Sequence, residues 1–357
     1  MASSWKTEIG LFPTTVVGSL PRPQFVQELL EQETEDRLGT LVWRERMDSA
    51  SRYVLAMMDG TGVDIITDGE WRRRSYSDVI AQMVDGFVPG EQFGTRWHTV
   101  VEPMTNPRHF IADEVKFVKA NTESKVKVCL PSPFILGERM WDPEASKAVY
   151  PTRRDFVRAT VPFLRAELEA VRDAGVDIAQ IDEPFLSGFC DPLAKRAFDD
   201  PDTDLEFLVE TLNGVVQGVD GVTIALHICH FNRGRGGWRN DGGYGPIIPA
   251  LEELQVHQYT LEFSIPAAGD MDVLKELPED RDVALGCVNC RSADVDTPEQ
   301  IVERVEKAMQ FVAKERILLA PDCGFAPGMA MEIPLDEAYL KLKNEAAAAE
   351  ILRDRYA

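Results

Sequence analysis

Two cysteines and a histidine, each placed where an apolar run ends, are the residues of this chain best suited to chemistry. His227-Ile228-Cys229 follows the run Val222–Leu226, and Cys323 stands far downstream in Ala320-Pro321-Asp322-Cys323-Gly324. Alternate residues of a strand share a face, so the single residue between His227 and Cys229 sets imidazole and thiol side by side. That pairing suits zinc, and further ligands must then come from other strand ends. Glu262, closing Tyr259-Thr260-Leu261, offers a carboxylate. Zinc with two thiolates, one imidazole and one carboxylate carries a net charge of about −1. So electron-rich a shell ionises water poorly but keeps a bound thiolate nucleophilic, which favours thiol activation over hydrolysis. Two competing readings stand beside it: a closed structural zinc site, and buried residues that never meet.

Glu70, after Ile65-Ile66-Thr67-Asp68-Gly69, and Asp182, in Ile181-Asp182-Glu183-Pro184, also fall at ends of apolar runs. Such a pair can hold the ammonium of an amino-acid substrate and so act in catalysis, with Gly18 and Ser19 donating to its carboxylate. Helix capping or surface ion pairing is the plainer role for either acid. Cys287 and Cys290, three apart on a strand, point to opposite faces, and Cys129 and Cys190 read as packing residues. His230 offers a substitute ligand but should face away from Cys229 while the strand persists, and His98, His109 and His257 read as surface or core histidines. The runs Arg72–Arg74 and Arg233, Arg235, Arg239 read as solvated loops that could also grip an anionic co-substrate.

Positioning these groups requires the elements between them. Eight short apolar runs recur, beginning near residues 15, 63, 126, 176, 222, 259, 283 and 317, with helix-length segments between. Each run is closed by polar or turn-forming residues, so the pattern predicts a parallel (β/α)8 barrel with its reactive residues on the C-terminal face. Residues 299–314 carry an apolar stripe behind Thr297 as N-cap, residues 156–174 repeat it before Gly175, and 335–357 form a closing helix. The chain reads as one domain over residues 1–357, with a probable inserted hairpin or lid at 71–125 and a loop of six glycines and three arginines at 230–246.

Composition bounds the rest. The formal charge of −22 over 357 residues disfavours nucleic acid or an anionic membrane as partner. No apolar stretch reaches membrane-spanning length and the start lacks a signal core, so a cytoplasmic location is expected. Six cysteines in so long a chain suit reduced thiols or metal ligands better than a disulfide framework.

Taken together and in order, Phe12–Ser19, Asp68-Gly69-Glu70, Ile181–Pro184, His227-Ile228-Cys229, Leu261-Glu262 and Pro321–Gly324 resemble the catalytic barrel of the cobalamin-independent methionine synthases, in their short single-barrel form. The resemblance spans nearly the whole chain. It implies zinc held by His227, Cys229, Glu262 and Cys323, and homocysteine held through Gly18, Ser19, Glu70 and Asp182. In the long members of that family a histidine follows the seventh strand, whereas Arg291 stands here. With no preceding barrel and no histidine after His257, the expected methyl donor is a methylcorrinoid, free or on a corrinoid protein, rather than methyltetrahydrofolate. The alternative is a zinc-dependent alkyltransferase of the same superfamily acting on another thiol or an epoxide. A metal-dependent hydrolase would want His-x-His where Gly18-Ser19 stands, and a metal-free decarboxylase would have no use for the thiols.

Overall fold

The structure, a computed structural model, describes residues 4–34, 40–92, 95–198, 200–326 and 333–356. Seven parallel strands pair in chain order: β1 (Ile65–Ile66), β4 (Lys125–Pro131), β5 (Ile178–Asp182), β6 (Thr223–Ile228), β7 (Gln258–Glu262), β8 (Asp282–Val288) and β9 (Ile317–Pro321). The chain at Thr14 and Thr15 closes the ring, bridging Leu319 on one side and Ile65 on the other, both in parallel register. Its bonds are regular: Thr15 N to the Leu319 carbonyl is 2.9 Å, and Ile65 N to the Thr14 carbonyl is 3.0 Å. The barrel expected from the eight apolar runs is therefore closed, with the first run contributing a bridge rather than a full strand. The other two strands, β2 (Asp85–Gln92) and β3 (Thr95–Thr105), form an antiparallel hairpin within residues 71–125, followed by a helix over Phe110–Lys119.

The period of two sorts the strand residues between two cores. Ile224, Leu226, Ile228, Tyr259, Leu261 and Ile181 join the large cluster between sheet and helices. Ile65, Ile178, Ala225, Ala284, Leu318 and Ala320 meet in a separate small cluster with Trp5. Continuing the inward positions up each strand gives Gln180 and Asp182 after Ile178, His227 and Cys229 after Ala225, and Thr260 and Glu262 after Gln258. One alternation thus fills the barrel floor with apolar groups and its mouth with reactive ones.

The surrounding helices begin and end where local chemistry dictates. Arg153–Asp173 starts on a capping box between Thr152 and Asp155, and the chain leaves it through Gly175 at φ +86°. Pro298–Ala308 starts on a second box, Thr297 with Gln300, and buries Ile301, Val302, Val305 and Ala308. That helix stops six residues before the expected Lys314, and Val312 is still buried beyond its end. Leu335–Tyr356 packs back against β9. Among the described residues no helix is long and apolar enough to cross a membrane.

Trp5, on the helix Ser4–Ile9, stoppers the barrel floor: it is 3% exposed and donates its indole N–H to Thr223 Oγ1 at 3.0 Å. Truncating a buried Trp removes packing area and leaves a hole in a region that collapses poorly. We expect Trp5→Ala to lower the unfolding free energy by about 3–5 kcal/mol, measured in urea. A loss below about 1 kcal/mol would mean that the floor is held without this side chain.

Candidate metal and substrate site

The end of β6 delivers His227 and Cys229, and the turn after β9 delivers Cys323. One potential ligand atom from each lies within 4.8 Å of the other two. All three side chains are buried. His227 Nδ1 meets Asp182 Oδ1 at 3.1 Å, a pairing built by the register that sets Asp182 beside His227. The opposite ring nitrogen, Nε2, is buried with no hydrogen-bond partner among the described residues. Burial alone would lower the imidazole pKa, but the Asp182 bond and the Cys229 charge outweigh it and raise it. The Cys229 thiol is pulled below its ordinary range, chiefly by a hydrogen bond from Cys323, with the charges of His227 and Arg291 helping against burial. Cys323 is correspondingly pushed up.

A buried imidazole nitrogen without a hydrogen-bond partner, in one cluster with two thiols that compete for protons, makes a donor set that suits zinc. The residues present fit the metal that their types suggest. The Asp182–His227 bond fixes the tautomer that leaves Nε2 free to bind it.

Glu262, expected as the fourth ligand, stands outside this cluster. One oxygen accepts from His230 N (2.9 Å) and pairs with His230 Nδ1 (2.7 Å), while the other accepts from Arg291 Nη2. Burial would raise this carboxyl, but Arg291 and His230 hold it below the usual range. His230, the possible substitute ligand, instead pairs with Glu262, and its Nε2 lies 3.0 Å from the Gly242 carbonyl.

Glu70 and Asp182 come together on the other side of His227, with Cys129, ligand-type atoms of all three lying within 4.8 Å of one another. Glu70 holds a left-handed backbone, φ +56°, and its N–H donates to Asp68 Oδ1 at 2.9 Å. Its carboxyl is raised to about 7, chiefly by burial, with the Arg73 charge opposing and the Asp182 charge adding to the rise. Two close carboxylates in so dry a place call for a cation between them. Gly18 is a steric requirement here, because a Cβ would stand 2.7 Å from Glu70 Oε1 and 2.8 Å from Cys129 Sγ. Ser19 is tied to the Cys323 turn, its carbonyl accepting from Phe325 N at 2.8 Å. The cavity lined by Gly18, Ser19, Glu70, Asp182, His227, Cys229 and Cys323 is one pocket.

Several residues that sequence reading passed over shape that pocket. Tyr76, Arg139, Phe231 and Asn232 complete its wall. The Arg139 guanidinium lies 4.9 Å from the Tyr76 ring centroid, and Phe231, at φ +56°, sits edge-on to Phe185 at 5.0 Å. None of the four ends an apolar run, so periodicity carries no signal for them. Cys129 lines the carboxylate pair as well as packing, with its thiol donating to the Val17 carbonyl at 3.1 Å. Arg73 departs from the solvated loop expected of Arg72–Arg74: it is 1% exposed, 2.6 Å from Glu114, and donates to the Cys129 carbonyl at 2.7 Å.

The family described as "Cobalamin-independent synthase, Catalytic domain" matches residues 12–350. A methionine synthase of Sulfurisphaera tokodaii is 24% identical over 354 residues, covering 97% of this chain and 94% of that one. A methionine synthase of Pyrococcus horikoshii is 26% identical over 353 residues, with 97% and 94% covered. Among solved structures, a B12-independent methionine synthase from Shewanella sp. W3-18-1 in complex with selenomethionine superposes with a TM-score of 0.79 at 21% identity, over 97% of this chain and 99% of that one. A putative B12-independent methionine synthase from Listeria monocytogenes gives 0.71 at 22%, over 96% and 99%. At those identities the structures speak for the fold.

The donor set carries a direct test. Protein loaded with zinc and dialysed should keep one zinc per chain by elemental analysis, and Cys323→Ser should lower affinity by more than about tenfold, since it removes a ligand outright. Barrel packing does not run through this thiol, so circular dichroism should be unchanged. Full zinc retention in a Cys229→Ser, Cys323→Ser double variant would refute the assignment.

Proposed function

We propose that this chain, which belongs to the cobalamin-independent synthase family through its catalytic domain, transfers a methyl group to the sulfur of homocysteine and so forms methionine. One observation carries the reading: a thiol–imidazole metal site and a carboxylate pair suited to an ammonium share one pocket, joined by the His227–Asp182 hydrogen bond. A substrate filling both halves must be an amino acid with a thiol on a short arm. The names borne by the relatives support the same choice.

Each residue then has a physical task. Asp182 and Glu70 hold the ammonium through charge-assisted bonds, and Gly18 and Ser19 receive the carboxylate. His227, Cys229 and Cys323 would hold zinc, which when bound would lower the proton affinity of the acceptor thiol near neutral pH. Methyl transfer is a displacement: a sulfur–carbon bond forms as the donor–carbon bond breaks, and the leaving group keeps the bonding pair. Catalysis on the protein's side is mainly alignment, the amino-acid end fixing where the sulfur lies. Tyr76, Arg139, Phe231 and Asn232 wall the remaining space, where the donor must approach.

Two observations pull the donor in different directions. Arg291 is buried against Glu262 and Asp322 and, as a guanidinium, cannot supply a proton to a departing folate. That supports the methylcorrinoid expected from the sequence. The relatives described as B12-independent favour a folate-type donor instead. Anaerobic assays for methionine with methyltetrahydrofolate and with methylcobalamin, run separately on zinc-loaded protein, decide between the two.

The acceptor assignment has its own tests. Asp182→Asn removes a charge-assisted contact worth roughly 1.5–3 kcal/mol, so the KM for homocysteine should rise about tenfold or more. If a simple thiol lacking the amino-acid end reacts as well as homocysteine, the reading fails and an alkyltransferase for other thiols or epoxides takes its place. Glu70 gives a pH signature. Its carboxyl is raised to about 7 in the empty pocket, and an ammonium beside it favours the charged form, so binding must lower that pKa and expel a proton. Calorimetry on metal-free protein, where the acceptor thiol keeps its proton, between the ordinary carboxylate range and about pH 7 should show binding heats that vary with the buffer's ionisation enthalpy in the sense of proton release, and Glu70→Gln should abolish that dependence. Proton uptake, or none, would exclude Glu70 from the ammonium site.

A further inference from the structure

Beneath the pocket, one side chain of the barrel interior has every bonding position filled. Gln180 is wholly buried. Its Nε2 donates to Asp182 Oδ1 at 2.8 Å and to the Val17 carbonyl at 3.1 Å, with Cys129 Sγ a further contact at 3.5 Å. Its Oε1 accepts from Lys127 Nζ at 3.1 Å and from Thr260 Oγ1 at 3.4 Å. Two N–H groups and two lone pairs are all that a primary amide offers, so Gln180 is saturated. Turning the amide over would set its oxygen against a carboxylate and a carbonyl, and its N–H groups against an ammonium. Its neighbours therefore accept it one way round.

Lys127 fixes that orientation from below. It lies on β4 beside Ile178, two residues before the Cys129–Gln180 pair, and is 1% exposed. Burial lowers its pKa to about 8, so it still carries its charge near neutral pH. A bond from a buried ammonium polarises the amide and strengthens what the two N–H groups give to Asp182 and Val17.

Those two acceptors belong to different halves of the amino-acid site. Asp182 faces Glu70, where the ammonium is to sit. Val17 leads directly into Gly18 and Ser19, which are to receive the carboxylate, and its carbonyl also accepts from the Cys129 thiol at 3.1 Å. An α-amino acid carries both groups on one carbon, so the separation of the two seats decides what fits. One amide sets that separation. The side chain must then run toward His227, Cys229 and Cys323, and three fixed points tell one enantiomer from the other.

We propose that Gln180, anchored by Lys127, is the specificity-determining joint of the amino-acid site, holding the ammonium seat at Asp182 and the carboxylate seat at Val17–Ser19 at the separation that an L-α-amino acid needs. Both are positioning residues, since neither lines the pocket. The inference rests on the reading of Asp182 and Glu70 as the ammonium site.

Methionine carries the amino-acid end without a free thiol, so its dissociation constant on metal-free protein, by calorimetry, reports on these seats alone. Gln180→Met, close to the amide in size, should weaken L-methionine by about tenfold or more and cut the preference for L- over D-methionine by a similar factor. General loosening of the barrel would weaken both enantiomers alike and leave that preference intact. Lys127→Met keeps both amide donors and should weaken L-methionine by about threefold. Added to Gln180→Met it should cost nothing further, because Lys127 acts through the amide. The double variant also strands no buried ammonium, so it carries the test should Gln180→Met alone fail to fold. Native circular dichroism with an unchanged enantiomer preference in the double variant would overturn the proposal. A Lys127→Met effect of equal size with and without Gln180 would overturn the part given to Lys127. Asp182→Asn tells the two readings apart: wild-type methionine affinity there sinks the ammonium site itself, whereas a loss there with none in Gln180→Met sinks this inference alone.

Discussion

The hydrogen bond between His227 Nδ1 and Asp182 Oδ1, 3.1 Å long and buried, is the contact on which the site depends. It does two jobs with one proton. It sets the imidazole tautomer that leaves Nε2 without a proton, and it ties the thiol–imidazole half of the pocket to the carboxylate half. Asp182 is itself steadied by Gln180, whose amide donates to the same oxygen at 2.8 Å. Gln180 in turn meets Lys127 at 3.1 Å and the Val17 carbonyl at 3.1 Å, so the barrel's interior polar residues brace the site from below.

Around that bond the protein spends buried charge freely. Arg73 pairs with Glu114, Arg291 with Glu262 and Asp322, and Arg22 donates to the Glu70 and Arg73 carbonyls at 2.7 and 2.8 Å. Such pairs contribute little net stability, because desolvation offsets most of their attraction. Their use is directional. Arg22 and Arg73 hold the turn in which Glu70 takes its left-handed conformation, and Arg291 fixes the carboxylate of Glu262 at the end of its strand. The result is a pocket with its acidic groups sorted: two aimed inward together, one tied back.

Strand register explains why residues so far apart in the chain cooperate. Asp182 is paired with His227 by the β5–β6 ladder, and Glu262 with Gly286 by β7–β8. Cys323 lies just beyond β9, whose neighbour across the barrel seam is the segment at Thr14 leading to Gly18 and Ser19. A one-residue slip in any of these ladders would turn the reactive groups into the helix layer and the aliphatic ones into the pocket.

Much of this was legible in the chain itself. Eight apolar runs closed by polar residues specify a barrel, because period and burial are local properties of a strand. The spacing of His227 and Cys229 likewise puts both on one face without reference to anything distant. Packing could not be read that way. Whether Glu262 pairs with Arg291 depends on where a side chain 29 residues further along the chain comes to rest, which only the assembled loops at 230–246 and 289–292 determine. The burial of Arg73 depends on Glu114 from a helix in the insertion, and Tyr76, Arg139 and Phe231 reach the pocket from segments without periodic pattern. The sequence by itself determined the barrel, the face that carries the chemistry and the residue types gathered there. The tertiary structure alone decided which carboxylates face each other and which is held apart, because that choice turns on desolvation and charge pairing between groups that are neighbours only in the folded chain.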